Sequence, residues 1–313
     1  MAETSVRIEG LCKTFGEIAA VNDLSVEVGR GEIFGLVGSD GAGKTTVMRL
    51  LCGLLTPDAG EMEVAGTDVR REPQEARGRL GYLPQAFGLH DDLSVAENIT
   101  YFADLFCQDM AEMRDRLDEL LAATGLTEFT DRLAGDLSGG MKQKAALICA
   151  LIHRPRVLLL DEPTRGVDPV SRRDLWRIVY GLPAEGVTVI VATPDADEAE
   201  RCSRLGVIAE GAIVDRGTPQ ELTARHTSRL VEVSVDDQSA GRDALRGMGG
   251  VLAVSGIGGS LRVSLAEDGP GAEQVADALR ERGLEIGEAA EVEPRLMDAL
   301  LVLDARRVAQ SDG

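Results

Sequence analysis

The stretch GSDGAGKT, residues 38–45, decides the reading of this chain. It fits the pattern G-x-x-x-x-G-K-[ST], follows the apolar run IFGLV and opens a helical stretch. A phosphate-binding loop needs that context. Glycines let successive backbone N–H groups wrap an anion, the helix start adds partial positive charge, and Lys44 adds a full one. The Thr45 hydroxyl is placed to ligate Mg2+. Gly38, Ser39, Asp40, Gly41, Ala42 and Gly43, with Lys44, Thr45 and Thr46, are therefore the candidate nucleotide-binding residues.

A second element fits the first. Val157-Leu158-Leu159-Leu160 is a continuous apolar run ending in Asp161-Glu162. Such a run reads as a strand buried on both faces of a parallel sheet. Its acidic end then lies at the carboxyl edge of the sheet, where ligands bind. Asp161 is a candidate for holding Mg2+ through its water shell. Glu162 is a candidate for orienting and deprotonating an attacking water.

Between the two lies Leu137-Ser138-Gly139-Gly140. A phosphate loop, then LSGG, then an apolar strand ending DEP resembles, in that order, the ATP-binding subunit of ABC transporters. The resemblance spans residues 4–225. It implies an ATP-binding domain with a mainly parallel sheet and a helical subdomain at about 90–155. Phe15, in KTFG, matches the aromatic that stacks on adenine. Gln85, in YLPQ, matches the glutamine that reaches Mg2+ and the attacking water. Asp168, in GVDP, matches the acidic residue of the loop that meets the opposite subunit. Ser138, Gly139 and Gly140 match the site that faces the γ-phosphate bound by a second subunit, a role a helix N-terminus suits. ATP and Mg2+ are the implied ligands. A second ATP-binding subunit, identical or not, and integral membrane permease subunits are the implied partners. FGL followed by DLSVAEN looks like the exporter branch, with drug-resistance and polysaccharide exporters. Transported substrate is not encoded here, because the membrane subunits choose it.

The chain departs from the family at VIVATPDADEAE, residues 189–200. There a strand is followed in the family by a histidine that contacts the γ-phosphate. The D-E-A-E at 197–200 fixes the register and puts Pro194 at that position. Proline offers no donor from side chain or nitrogen. Losing one preorganised donor at a developing charge costs about 10²–10³ in rate. The expectation is a catalytically weakened site that still binds ATP, with an intact LSGG able to complete a site on another subunit. The alternative is a homodimer in which Thr193, a water or a rearranged neighbour compensates. Neither His90 nor His153 obviously fills the gap. Ser39 and Val167 replace the usual proline and leucine harmlessly. Arg165, in DEPTRG, adds positive charge near the dimer surface and has no account from sequence.

The net charge of −20 argues against non-specific nucleic-acid binding and against docking on anionic lipid. With one cassette and no extended heptads, that charge also disfavours a soluble relative acting on ribosomes or DNA. No apolar run approaches the roughly 17–25 residues of a membrane span, and the first residues, MAETSVRIEG, lack the pattern of a secretory signal. The expected location is cytoplasmic, peripheral on the cytoplasmic face of the cell membrane through its partners. Cys12, Cys52, Cys107, Cys149 and Cys202 are scattered and read as reduced thiols.

Strand-like and helix-like stretches alternate over the first two thirds of the chain, which indicates βαβ units. Thr218-Pro219-Gln220-Glu221 reads as a helix start with Thr as N-cap and Glu at N3, closing the first domain near Arg225. Residues 230–305 run βαββαβ, the order of a small α+β ferredoxin-like domain. PRLMDALLVLDA predicts a terminal helix, and the whole segment resembles an accessory domain of some of these exporters.

Overall fold

The computed structural model describes residues 3–106, 110–227 and 229–311. Cys107, among the thiols read as reduced, lies outside the described residues. The chain divides into two compact units, Met1–Arg216 and Gly217–Gly313.

The first unit holds two sheets. β1 (Thr4–Phe15), β2 (Ile18–Gly29), β4 (Ala59–Val64) and β5 (Thr67–Asp68) form an antiparallel sheet in the order β2-β1-β4-β5. Val6 pairs with Val28 on one side and Val64 on the other. β1 and β2 alternate buried and exposed side chains, as strands with one wet face do. β3 (Ile33–Val37), β6 (Leu80–Leu83), β7 (Val157–Asp161), β8 (Thr188–Thr193), β9 (Arg204–Ala209) and β10 (Ala212–Gly217) form the larger sheet, ordered β10-β9-β3-β8-β7-β6. From β9 to β6 every pairing is parallel. All residues of β3, β7 and β8 are buried, which explains their unbroken apolar runs.

α1 (Lys44–Leu51) packs against β2 and β4 on one side and β7 and β8 on the other. Val47, Met48, Leu50 and Leu51 join one core with Val6, Ile8, Phe34, Leu159 and Ile190. The phosphate loop, lying just before α1, is thereby fixed between the two sheets. The helix closes just past Leu51, where the N–H groups of Leu54 and Leu55 fold back onto the Arg49 carbonyl. α2 (Pro73–Gly78) is a short helix that apolar spacing did not announce.

The helical part contains α3 (Val95–Phe106), α4 (Met110–Thr124) and α5 (Gly139–Leu151). Ser94 and Glu97 cap α3 reciprocally through side chain and backbone. Buried Asn98 bonds both the N–H and C=O of His90 and the carbonyls of Leu93 and Ser94, pinning the approach to α3. α6 (Pro169–Gly181) and α7 (Ala196–Ala199) follow β7 and β8.

In the second unit, β11 (Arg229–Val235), β12 (Val251–Ile257), β13 (Ser260–Leu265) and β14 (Ile286–Val292) form an antiparallel sheet ordered β12-β13-β11-β14. With α9 (Gln238–Leu245) and α10 (Ala272–Glu281), this is the expected ferredoxin-like βαββαβ order. Val231, Val233, Leu261, Val263, Leu245, Val275 and Leu279 fill its core. α8 (Pro219–His226) starts with the expected capping box but lies in this unit, where it packs on α11 (Leu296–Ser311). The sequence reading places it in the first domain; its contact with a distant helix was invisible there. Arg262 holds α11 to β13 through both Asp298 carboxylate oxygens, at 3.1 and 2.9 Å.

Candidate functional site

The loop before α1 is held by close backbone approach. Gly43 has φ 106°, and a Cβ there would meet the Ala20 carbonyl oxygen at 2.3 Å. At Gly38 a Cβ would meet the Ile208 carbonyl oxygen at 2.1 Å. A backbone strap adds to this: Gly211 N–H donates to Ala42 C=O at 3.0 Å, and Asn22 N–H donates to Gly211 C=O at 2.9 Å. Lys44 Nζ turns back onto the carbonyls of Gly38 and Ser39, each at 2.8 Å. Burial pushes its ammonium below the ordinary lysine value, although Glu162, Asp40 and Asp161 pull the other way.

Two carboxylates stand at the end of β7, Asp161 as its last residue and Glu162 just after it, with different surroundings. Asp161 is fully buried; Thr45 Oγ1 donates to its Oδ1 at 3.1 Å and Tyr82 OH to its Oδ2 at 3.3 Å. Burial pushes the Asp161 carboxyl up from its ordinary value. Glu162 leaves the strand with φ 50°, a conformation rare for a side chain of its size, while its N–H bonds Ala192 C=O at 2.8 Å. Gln85 Nε2 donates to Glu162 Oε2 at 3.1 Å, and Arg165 Nη1 to the same oxygen at 2.8 Å.

Lys44, Thr45, Gln85, Glu162 and Arg165 line one cleft of about 320 Å3, while Asp161 and Tyr82 lie behind Thr45 and are not among its walls. Asp40, Gly41, Gly43, Lys44, Thr45, Thr46, Gln85 and Glu162 are among its walls, joined by Ile18–Ala20, Arg165 and Glu210. Gly38, Ser39 and Ala42 belong to the loop but are not among the walls of the cleft. Phe15 stands half exposed at the turn between β1 and β2, with Lys13 Nζ 5.6 Å from its ring centre. Its neighbours Ile18, Ala19 and Ala20 line the cleft and it does not.

The LSGG residues are elsewhere. Ser138 caps α5 by accepting the Met141 N–H at 3.3 Å. Asp168 caps α6 through Val170 and Ser171 N–H, each at 3.0 Å, and these bonds hold its carboxyl below the usual range. The two caps touch: a Cβ on Gly140 would meet Ser171 Oγ at 2.3 Å and Asp168 Oδ2 at 3.0 Å. None of Ser138, Gly139, Gly140 and Asp168 lines the phosphate-loop cleft.

A model of the ABC transporter family matches residues 21–165. The daunorubicin resistance ATP-binding protein DrrA3 of Streptomyces coeruleorubidus is 35% identical over 316 residues, covering 99% of this chain and 100% of that protein. The chain belongs to the ABC transporter ATP-binding proteins. The probable multidrug ABC transporter ATP-binding protein YbhF of Escherichia coli is 45% identical over 231 residues, 73% of this chain. This cassette chain matches 40% of that relative's length. The Nod factor export ATP-binding protein I of Paraburkholderia xenovorans is 39% identical, over 78% of this chain and 81% of its own. Among solved structures, a dimeric bacterial ABC transporter cassette superposes with TM-score 0.63 at 26% identity, covering 68% of this chain and 98% of that one.

In this ABC protein the tip of β8 has its own cleft, of about 330 Å3, lined by Thr193, Pro194, Asp195, Arg165 and Glu162 among others. Thr193 is 1% exposed and its hydroxyl accepts the Asp195 N–H at 3.0 Å. The same hydroxyl is hydrogen-bonded to the Glu198 carboxyl, so both its accepting and its donating capacity are engaged within the protein. Arg172 is bound to Asp195 at 3.2 Å. Buried Glu198 receives the Thr164 hydroxyl, and burial pushes its carboxyl up. His153 bonds the Leu80 carbonyl and stacks on Phe106, while His90 packs edge-on against Tyr101. Neither histidine lines either cleft.

Sequence reasoning missed three groups at this site: Tyr82 on Asp161, Glu210 in the cleft wall, and the Arg165–Glu162 pair. Only the pair left a trace, an opposite charge three residues after Glu162. Cys12, Cys52, Cys149 and Cys202 are free; burial pushes the last three thiols up to about 12, so they are inert at neutral pH. Among the described residues no helix is long and apolar enough to cross a membrane.

Proposed function

We propose that this ABC protein is the ATPase subunit of an exporter, hydrolysing Mg-ATP at the Lys44–Glu162 cleft to drive transport through separate membrane subunits. The observation that carries the reading is Glu162, a carboxylate turned out of β7 into the phosphate-loop cleft and held there by Gln85. Lys44 and the loop amides take the phosphates. Glu162 orients the attacking water and takes its proton.

The donor set suits a hard divalent cation: a hydroxyl and a buried carboxylate meet at Thr45 and Asp161, and the Asp161 charge is costly without a cation. Mg2+ held by Thr45, Asp161 and the Gln85 amide oxygen would neutralise phosphate charge. Adenine stacks on Phe15, whose exposed ring lies beside cleft residues of the same hairpin.

Ser138, Gly139, Gly140 and Asp168 lie outside their own chain's cleft, which supports their serving a second ATP-binding subunit across a dimer. The apolar groove lined by Leu54, Tyr82, Pro84, Phe87, Phe102 and Phe106 adjoins Gln85 and suits a helix of the membrane subunit. That docking places the protein on the cytoplasmic face of the membrane.

Pro194 lowers turnover, since it has no donor to present and the Thr193 hydroxyl is engaged by Asp195 and Glu198. A second reading follows from the same observation: the chain is a largely non-hydrolysing, ATP-clamping half of an asymmetric pair. Steady-state phosphate release decides between them. Slow turnover that rises about tenfold or more in Pro194→His supports a weakened ATPase. Undetectable turnover with normal ATP binding supports the clamp, and brisk turnover unchanged by the substitution removes the role given to Pro194.

A further inference from the structure

Glu162 has two donors, and both reach the same oxygen. Arg165 Nη1 lies 2.8 Å from Oε2 and Gln85 Nε2 3.1 Å from it. Neither is bonded to Oε1, which stays available for a proton. Glu162 is 8% exposed and the Arg165 side chain 59%, so the guanidinium covers the carboxylate from the solvent side. The turn that joins them is local: Arg165 N–H donates to Glu162 C=O at 3.2 Å.

Arg165 is also the one cation, among the described residues, that lines both the phosphate-loop cleft and the cleft at the tip of β8. Lys44 is turned onto two loop carbonyls, and Arg172 onto Asp195. Pro194 has no donor to offer, and Thr193 is buried. A planar guanidinium keeps its charge at any working pH and carries several N–H groups in a fixed fork, so it can hold a carboxylate while presenting further donors.

We propose that Arg165 is the positioning residue of this site, holding the Glu162 carboxylate from the side that Pro194 leaves without a donor and sustaining the turnover that remains. The proposal rests on reading the cleft as an ATP-hydrolysing site. It explains why a cation stands where the sequence suggested only a charge near a dimer surface.

The test is steady-state phosphate release and Mg-ATP binding on the full chain, over a concentration series that covers self-association. The natural sequence is compared with Arg165→Ala, Arg165→Lys, Pro194→His and the Arg165→Ala/Pro194→His double variant. Arg165→Ala is expected to lower kcat at least about tenfold while KM and ATP affinity move less than about twofold. Arg165→Lys recovers part of the loss. In the Pro194→His background, removing Arg165 costs less than about threefold, because the two positions supply the same support. Equal losses in both backgrounds, or an unchanged kcat for Arg165→Ala, overturn the proposal. A silent natural chain beside an active Pro194→His variant overturns it too, while leaving the machinery of hydrolysis intact. Silence of every variant with Mg-ATP still bound overturns the ATPase reading itself, and the role of Arg165 falls with it.

Discussion

Thr45 Oγ1 and Asp161 Oδ1 meet at 3.1 Å across 116 residues of chain. The first lies in the opening turn of α1 and the second ends β7, so their distance is set by how α1 packs on the parallel sheet. A cation site assembled this way responds to either partner. Asp161→Asn keeps the shape and removes the charge. It is expected to lower ATP affinity at least about tenfold in Mg2+, since charge-assisted contacts are worth about twice neutral ones. Affinity in excess chelator should hardly change. Fluorescent-nucleotide titration with and without Mg2+ checks this, and parallel losses in both conditions would contradict it.

Gly139 and Gly140 are adjacent and face different constraints. A Cβ on Gly139 enters open space, whereas one on Gly140 meets Ser171 Cβ at 2.6 Å, which no rotamer change relieves. Gly140→Ala is expected to destabilise the junction of α5 and α6 by about 1–3 kcal/mol. Gly139→Ala should melt like the natural chain and yet slow hydrolysis, if this face closes a second subunit's site. Thermal melts beside phosphate release separate the two effects.

Buried Glu198 gives a pH signature. Its carboxyl is held above the ordinary 4.5 by burial. A group that binds its proton more tightly when folded adds stability below the unfolded value and loses it as pH rises through the folded one. Glu198→Gln keeps an acceptor for Thr164 without the charge. Its melting temperature should exceed the natural chain's at neutral pH, by about 2–4 °C for a gain of about 1 kcal/mol in a unit of this size. The difference should shrink toward pH 4.5. Calorimetry across that range measures it, and a pH-independent difference would reject the assignment.

In the second unit, Asp298 is 1% exposed and accepts both Arg262 and the Arg295 N–H. Removing it leaves a buried guanidinium with Glu232 as its remaining partner. Breaking one side of such a pair costs about 3–5 kcal/mol. Asp298→Ala is expected to release α11, seen as faster proteolytic cleavage within Leu296–Ser311 while the first unit keeps its ATP affinity.

The elements that bury both faces were the legible ones. β3, β7 and β8 stand out in the sequence because no residue in them faces water, and the phosphate loop because Gly38 and Gly43 leave no room for a Cβ. The ferredoxin-like order of the second unit was readable from alternation alone. Contacts that depend on a turn were not. Nothing in DEPTRG says that Glu162 adopts φ 50° and so brings Arg165 back onto its own carboxylate. Thr193 looked available in sequence, but the side-chain face it takes in β8 is a buried one. Strand-like runs near the start gave no pairing partner, so the separate antiparallel sheet of β1, β2, β4 and β5 emerges only in three dimensions.

The strap through Gly211 has a use beyond holding the loop. Its N–H belongs to the hairpin between β9 and β10, yet its acceptor is Ala42 of the phosphate loop. Local opening of the loop would break that bond and expose the proton to exchange, and a nucleotide that holds the loop in place would protect it. Deuterium uptake at this one amide thus gauges how full the cleft is, on the natural chain and with no probe placed inside it.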